Sequence, residues 1–129
     1  MSSLVNIPSH ANAVSLDGSA QVTSTSNGSG VDIRDYVGLA MVILDAGAAT
    51  AGTSPTLDVK LQESSDDSTY SDISGATFTQ VTDSAASHQT LRLDLKPLKR
   101  YIRVVATVGG TSTPTFAYGV TMVAAKQVD

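Results

Sequence analysis

The sequence predicts an all-β protein, an antiparallel two-sheet sandwich of the jelly-roll type, and three observations support that fold class. Strand-length runs follow one another from residue 57 to residue 125, and none has the period of a helix. Tight-turn residues separate the runs, which recur at intervals of roughly 8 to 12 residues. Two runs alternate apolar with polar residues, which places the apolar side chains on one face of each strand. An immunoglobulin-like sandwich is the alternative architecture, disfavoured by the absence of Trp and Cys.

The alternation also predicts which side chains are buried, because a strand has only one register that fits a half-buried sheet. The expected core positions are Leu57, Val59, Leu61, Leu91, Leu93, Leu95, Ile102, Val104 and Val120. The expected exposed positions on the opposite strand faces are Lys60, Arg92 and Asp94.

The N-terminal residues show no sustained period. Apolar residues are scattered through positions 1–19, Pro8 interrupts them, and the stretch ends at the turn pair Asp17-Gly18. We therefore expect residues 1–19 to form an extended arm that either lies on the domain or reaches out to a neighbour, and residues 20–129 to form a single β-sandwich domain.

Within that domain the elements follow from pattern and turn chemistry. Residues 20–26 read as a first strand, and the turn at 27–30 leads to a strand at 31–36. Positions 37–44 are apolar almost throughout, which is typical of a central strand covered on both faces. Residues 46–56 are small and predict a loop, and the glycine pair opening 109–114 predicts a connection between the last two strands.

Composition excludes several classes of function. The chain of 129 residues has no Cys and a net charge of −4, so a disulfide scaffold is not expected and the overall field repels nucleic-acid phosphates. No signal-peptide pattern or membrane-length apolar run occurs, so we expect synthesis in the host cytoplasm and no membrane partner.

No motif points to a reaction. Asp66, Asp67 and Asp72 lack the order of a calcium loop and are typical of turns instead. His10 and His88 are the two histidines, with no spacing that would hold zinc. The sequence therefore predicts neither an enzyme nor a cofactor.

Two segments carry a family resemblance. The run LDVKLQES at 57–64 is followed by DDSTYSDI at 66–73, and LKRYIRVV occupies 98–105. Together with their surroundings, over residues 31–125, they resemble the small cement, or head-decoration, proteins of tailed bacteriophages. The resemblance implies a jelly roll that assembles as a homotrimer on the capsid exterior, with the major capsid protein as its partner.

Candidate contact residues come from the arm and from a basic cluster. The arm's apolar side chains would gain most from burial against a neighbouring surface, and the basic cluster reads either as a solvated strand rim or as a contact for an acidic partner. The candidates for capsid or trimer contact are Leu4, Val5, Ile7, Lys99, Arg100 and Arg103. Two alternative functions stay open. A phage tail or baseplate module that binds a host glycan would need an exposed aromatic platform, and a small hydrolase would need a buried ionisable group in a cleft.

Overall fold

The computed structural model describes residues 11–82 and 84–126, and this part of the chain consists of β-strands joined by turns. Nothing in these two ranges is a helix that could span a membrane. The strands are β1 (Ala11–Val22), β2 (Ser26–Asn27), β3 (Val31–Asp32), β4 (Tyr36–Ala46), β5 (Ala51–Ser64), β6 (Ser71–Thr77), β7 (Val81–Thr82), β8 (Ser87–Asp94) and β9 (Tyr101–Lys126).

Two antiparallel sheets share the long strand β9. In the first sheet β1 and β4 flank the C-terminal half of β9, and β8 pairs with the outer edge of β4. In the second sheet β5 pairs with the N-terminal half of β9, β6 and β7 pair with β5, and β2 and β3 pair with the other edge of β9. The prediction of an all-β, antiparallel sandwich of the jelly-roll type is confirmed.

Strand β9 passes from one sheet to the other without a loop, which differs from the connection expected at 109–114. Its backbone bends there through Gly110, Ser112 and Thr113, whose φ values are 110°, 61° and 57°. The facing part of β5 bends with it, with φ of 102° at Gly52 and 49° at Ser54. The expected loop at 46–56 is therefore shorter, because residues from 51 onward follow β9 around the corner with shifts in register.

The first sheet also takes up part of the expected N-terminal arm. Strand β1 pairs with β9 from Ala11 opposite Ala125 to Val22 opposite Phe116, and Leu16 is buried in the core. A register shift follows Ser15, which changes the phase of the buried positions and hides the strand period. The interpretation of residues 11–19 as an arm was wrong for this reason, and residues 1–10 lie outside the described residues.

The core fills the space between the two sheets. Its fully buried large side chains come from the inward faces of β4, β5 and β9, as Leu44, Leu57, Ile102 and Phe116 illustrate. All the expected core positions are buried except Leu91, which is partly buried because β8 is an edge strand. Of the expected exposed positions, Arg92 and Asp94 are exposed, whereas Lys60 is half-buried because its ammonium lies 3.0 Å from an Asp72 carboxylate oxygen.

A candidate interaction surface

An exposed apolar row lies on the outer face of the first sheet. Val37, Leu39 and Met41 on β4 are 43%, 57% and 45% exposed, and we refer to these three residues as the apolar stripe. The intervening residue Ala40 and the next one, Val42, face the core. The expectation that residues 37–44 are covered on both faces is therefore wrong: the inward face is buried and the outward face is open.

The neighbouring strands do not cover the stripe. Met41 lies between Arg92 of β8 and Val123 of β9 in the sheet ladder. The β4–β9 register shifts between Val37 and Met41, so β4 carries extra residues at this point and Leu39 is the most exposed side chain of the stripe. A bulge of this kind re-aims side chains, here towards solvent.

A cleft of about 610 Å³ opens next to the stripe, at the end of the first sheet. We refer to it as the basic cleft. Its floor and walls are apolar and include Ile33, Leu95 and Leu98 together with Val37 and Leu39 of the stripe. Four cationic residues also line it, namely Arg34, Lys96, Lys99 and Arg100.

Backbone hydrogen bonds between distant segments build this cleft. The Ile33 N–H donates to the Arg100 carbonyl at 2.9 Å, and the Leu95 N–H donates to the Gly38 carbonyl at 3.0 Å. The turn after β8 is closed by the Lys96 N–H, which donates to an Asp94 carboxylate oxygen at 3.0 Å. Residues 33–38 and 94–100 are thereby held on opposite sides of the same opening.

The cationic residues of the cleft differ in their pairing. Arg100 lies 2.9 Å from an Asp32 carboxylate oxygen, and this hydrogen bond holds the pKa of Asp32 below its usual value. The Lys99 backbone N–H is bonded to Glu63 at 2.9 Å, but that bond leaves its ammonium group available. Within residues 11–82 and 84–126, no ion pair involves the side chains of Arg34, Lys96 or Lys99.

The structure separates the residues that the sequence grouped as contacts. Lys99 and Arg100 line the basic cleft, whereas Arg103 points to the outer face of the second sheet. There its guanidinium lies 4.2 Å from the centre of the Tyr70 ring and donates to Gln62 at 2.9 Å. The other three candidates, Leu4, Val5 and Ile7, lie outside the described residues.

The acidic turn, which contains Asp66 and Asp67, is stabilised by hydrogen bonds to its own carboxylates. The Asp66 carboxylate accepts hydrogen bonds from the backbone N–H groups of Ser68 and Thr69, each at 3.0 Å, and from the buried Ser64 hydroxyl. These hydrogen bonds lower the pKa of Asp66 below its usual value, and the bond from the Thr69 N–H has the largest effect. Across the described part of the chain, no group of three or more His, Asp or Glu residues is arranged to hold a metal ion.

A second polar pair lies at the far end of the first sheet. His88 and Asp45 face each other across the β4–β8 ladder, and the His88 Nδ1 contacts the Asp45 carboxylate. Their side chains are 67% and 70% exposed, so water surrounds the pair. A hydrogen bond in this setting lacks the desolvated surroundings that make such pairs effective in catalysis.

The aromatic side chains do not form an exposed platform in the described residues. Tyr118 and Phe116 are buried in the core, and Tyr70 is covered on one face by Arg103. Tyr36 is half-buried at the wall of the basic cleft. The feature that a glycan-binding sandwich would need is therefore missing from this part of the chain.

Comparisons with known proteins identify the fold. A chain of the T13 IBDV viral particle aligns with a TM-score of 0.54 and 12% identity, over 90% of this chain and 31% of that chain. The SPBc2 prophage-derived protein YomS aligns with a TM-score of 0.49 and 10% identity, over 87% of this chain and 92% of its own. The CBM22-1 xylan-binding domain from Paenibacillus barcinonensis Xyn10C aligns with a TM-score of 0.47 and 12% identity, over 91% of this chain and 84% of its own.

At such low identities the likeness establishes the shared fold alone. No family model matches this sequence, and no curated protein matches it. The function must therefore be argued from the surface of this molecule.

Proposed function

We propose that this chain is a structural virion protein that binds the outside of a tailed-phage capsid as a trimer and stabilises the head. The observation that carries the proposal is the apolar stripe of Val37, Leu39 and Met41 on the outer face of the first sheet. Exposure of three large apolar side chains to water is unfavourable, and a partner that covers them removes this cost.

The surroundings of the stripe support a contact surface rather than a reaction site. The described residues offer no metal cluster, and their one His–Asp pair is open to solvent. The resemblance of residues 31–125 to cement proteins indicates the same kind of role. The chain of the T13 IBDV viral particle adds only that a sandwich of this fold occurs in a viral particle.

A trimer would strengthen each contact. Three copies held rigidly together bind a lattice with an effective concentration gain on the order of 100-fold, provided that their spacing matches the lattice. Three chains of 13.3 kDa give about 40 kDa. Size-exclusion chromatography with light scattering should find that mass at tens of micromolar protomer, and a mass of one chain would contradict the trimer.

Capsid binding can be tested with variants of the stripe. The double variant Val37→Gln/Met41→Gln should bind fewer copies per undecorated capsid, because it removes apolar area from a surface that is exposed in the free protein. The matched control is Thr77→Gln/Thr107→Gln, which alters exposed positions of the second sheet. Equal binding by the two variants would remove the stripe from the contact, and no binding by the parent protein would overturn the proposal itself.

The apolar residues near the N-terminus are also proposed to contact the capsid, as the sequence predicts. A deletion of residues 2–10 removes Leu4, Val5 and Ile7 and stops before Ala11, where the pairing of β1 with β9 begins. The shortened protein should keep its thermal unfolding temperature and lose capsid affinity. Unchanged affinity would exclude these residues from the contact.

A further inference from the structure

We propose that the basic cleft binds an extended segment of a partner protein in which large apolar side chains are flanked by carboxylates. This inference names the chemistry of the partner, and it rests on the proposed function only for identifying that partner as the capsid protein. The groove itself is a property of this chain.

The floor of the basic cleft is apolar. Ile33 and Leu95 are buried beneath the opening, Leu98 is partly buried, and Leu39 stands 57% exposed at its edge. A volume of about 610 Å³ lies within the range of small-ligand sites. An apolar side chain entering from outside would cover the floor and Leu39 together.

Positive charge is concentrated at the basic cleft of a molecule that is acidic overall. The chain has eight Lys and Arg residues and a net charge of −4, and four of the eight line this one cleft. Asp94 is the one acidic residue among the lining residues, and its carboxylate already accepts the Lys96 N–H. Such a patch attracts carboxylates locally while the remainder of the surface repels them.

The cationic residues Lys96, Lys99 and Arg100 at the rim of the cleft are positioned to bind a carboxylate. Arg100 is held by Asp32 and lies 5.1 Å from the centre of the Tyr101 ring, so it is already positioned. Lys96 and Lys99 have backbones fixed by hydrogen bonds to carboxylates while their ammonium groups form no ion pair within the described residues. A segment with carboxylates on either side of an apolar residue would satisfy both the rim and the floor.

The same features disfavour a nucleic acid. A phosphate backbone would meet the cationic rim but would leave the apolar floor uncovered, and it would be repelled by the acidic remainder of the surface. Nucleic acid is therefore the competing class that the experiment must separate from a peptide.

The test measures binding of defined peptides by fluorescence anisotropy. The probes are labelled hexapeptides in which Leu or Phe alternates with Asp or Glu, with one control set in which amides replace the carboxylates and another in which Ser replaces the apolar residues. Binding should require both features and should weaken as salt is raised. A labelled single-stranded oligonucleotide is measured in parallel.

Two matched pairs of variants locate the binding. Lys99→Glu should weaken peptide binding about tenfold, while Arg92→Glu, the same charge change on exposed β8, should leave it unchanged. Leu39→Gln should weaken it about fivefold, while Thr90→Gln, at an exposed position of β8 outside both the apolar stripe and the cleft, should not. All four side chains are exposed, so the variants are expected to fold.

Several results would overturn the inference. These are the absence of binding by every acidic and apolar peptide at millimolar concentration, equal binding by the amide controls, tighter binding of the oligonucleotide, or equal loss with Arg92→Glu and Lys99→Glu. Failure of the proposed function looks different: peptides would still bind the cleft, whereas undecorated capsids would not bind the protein at all.

Discussion

Truncation of Leu93 provides the sharpest test of the strand register in the first sheet. Leu93 is 5% exposed and lies directly opposite Ala40 in the β4–β8 ladder. Leu93→Ala deletes three buried carbons, worth about 2.4 kcal/mol at ~0.8 kcal/mol each. Because Ala40 is too small to fill the space, a cavity term adds to this, and the total should reach about 3 to 4 kcal/mol.

The matched control is Leu91→Ala two residues earlier on the same strand. Leu91 is only partly buried and faces the larger Val42, so water can fill part of the vacated space and the loss should be about 1 kcal/mol. Urea unfolding followed by far-UV circular dichroism measures both variants, at one protomer concentration because self-association would raise the apparent stability. Equal losses for the two variants, or an unchanged midpoint for Leu93→Ala, would refute the register.

Two further predictions concern the sheet corner and the alkaline limit of stability. Gly110→Ala should lower the free energy of unfolding by about 2 kcal/mol, because φ is 110° and a Cβ would lie 2.8 Å from the Ser54 carbonyl oxygen. The control Gly119→Ala, which has open space around it, should change that free energy by less than about 1 kcal/mol. The Tyr118 hydroxyl donates to an Asp17 carboxylate oxygen at 2.6 Å, and burial followed by this bond raises the pKa of Tyr118 above its usual 10.0. The stabilisation by the Tyr118 hydroxyl is therefore complete below about pH 10 and is lost as pH rises further. Tyr118→Phe should lower the free energy of unfolding at about pH 7 by about 1 kcal/mol. The variant should also show a smaller fall in thermal unfolding temperature above about pH 10 than the parent protein.

The sequence was most informative where one register runs unbroken through a strand. Leu57 and Leu61 on β5, and Leu93 on β8, are buried as their alternation predicts. The prediction failed where the backbone departs from regular pleating. The register shift after Ser15 changes which residues of β1 face the core, so this strand resembled an arm in the sequence. The positive φ at Gly110 interrupts the alternation of β9, so the middle of that strand resembled a turn.

The candidate surface was less accessible to sequence reasoning for a different reason. Val37, Leu39 and Met41 are visible as apolar residues, but only the sheet partners decide whether their face is covered. Lys99, Arg100 and Arg103 are close in sequence, yet β9 begins at Tyr101 and its alternation sends Arg103 to the outer face of the second sheet. The basic cleft depends on hydrogen bonds between segments about sixty residues apart, which no local pattern reports.

Neighbouring residues of strand β4 have different roles, because one set packs in the core and the other forms the proposed contact surface. Ala40 and Val42 face the core while Leu39 and Met41 face solvent, so a slip of one residue would exchange the two sets. Three features oppose that slip: the bulge between Val37 and Met41, the φ of 80° at Gly38, and the hydrogen bond from the Leu95 N–H to the Gly38 carbonyl. The same glycine lines the basic cleft. The irregularity that fixes the core register therefore also exposes Leu39 and shapes the cleft beside it, so the bulge at Gly38 links the stability of the sheet to the geometry of the proposed contact surface.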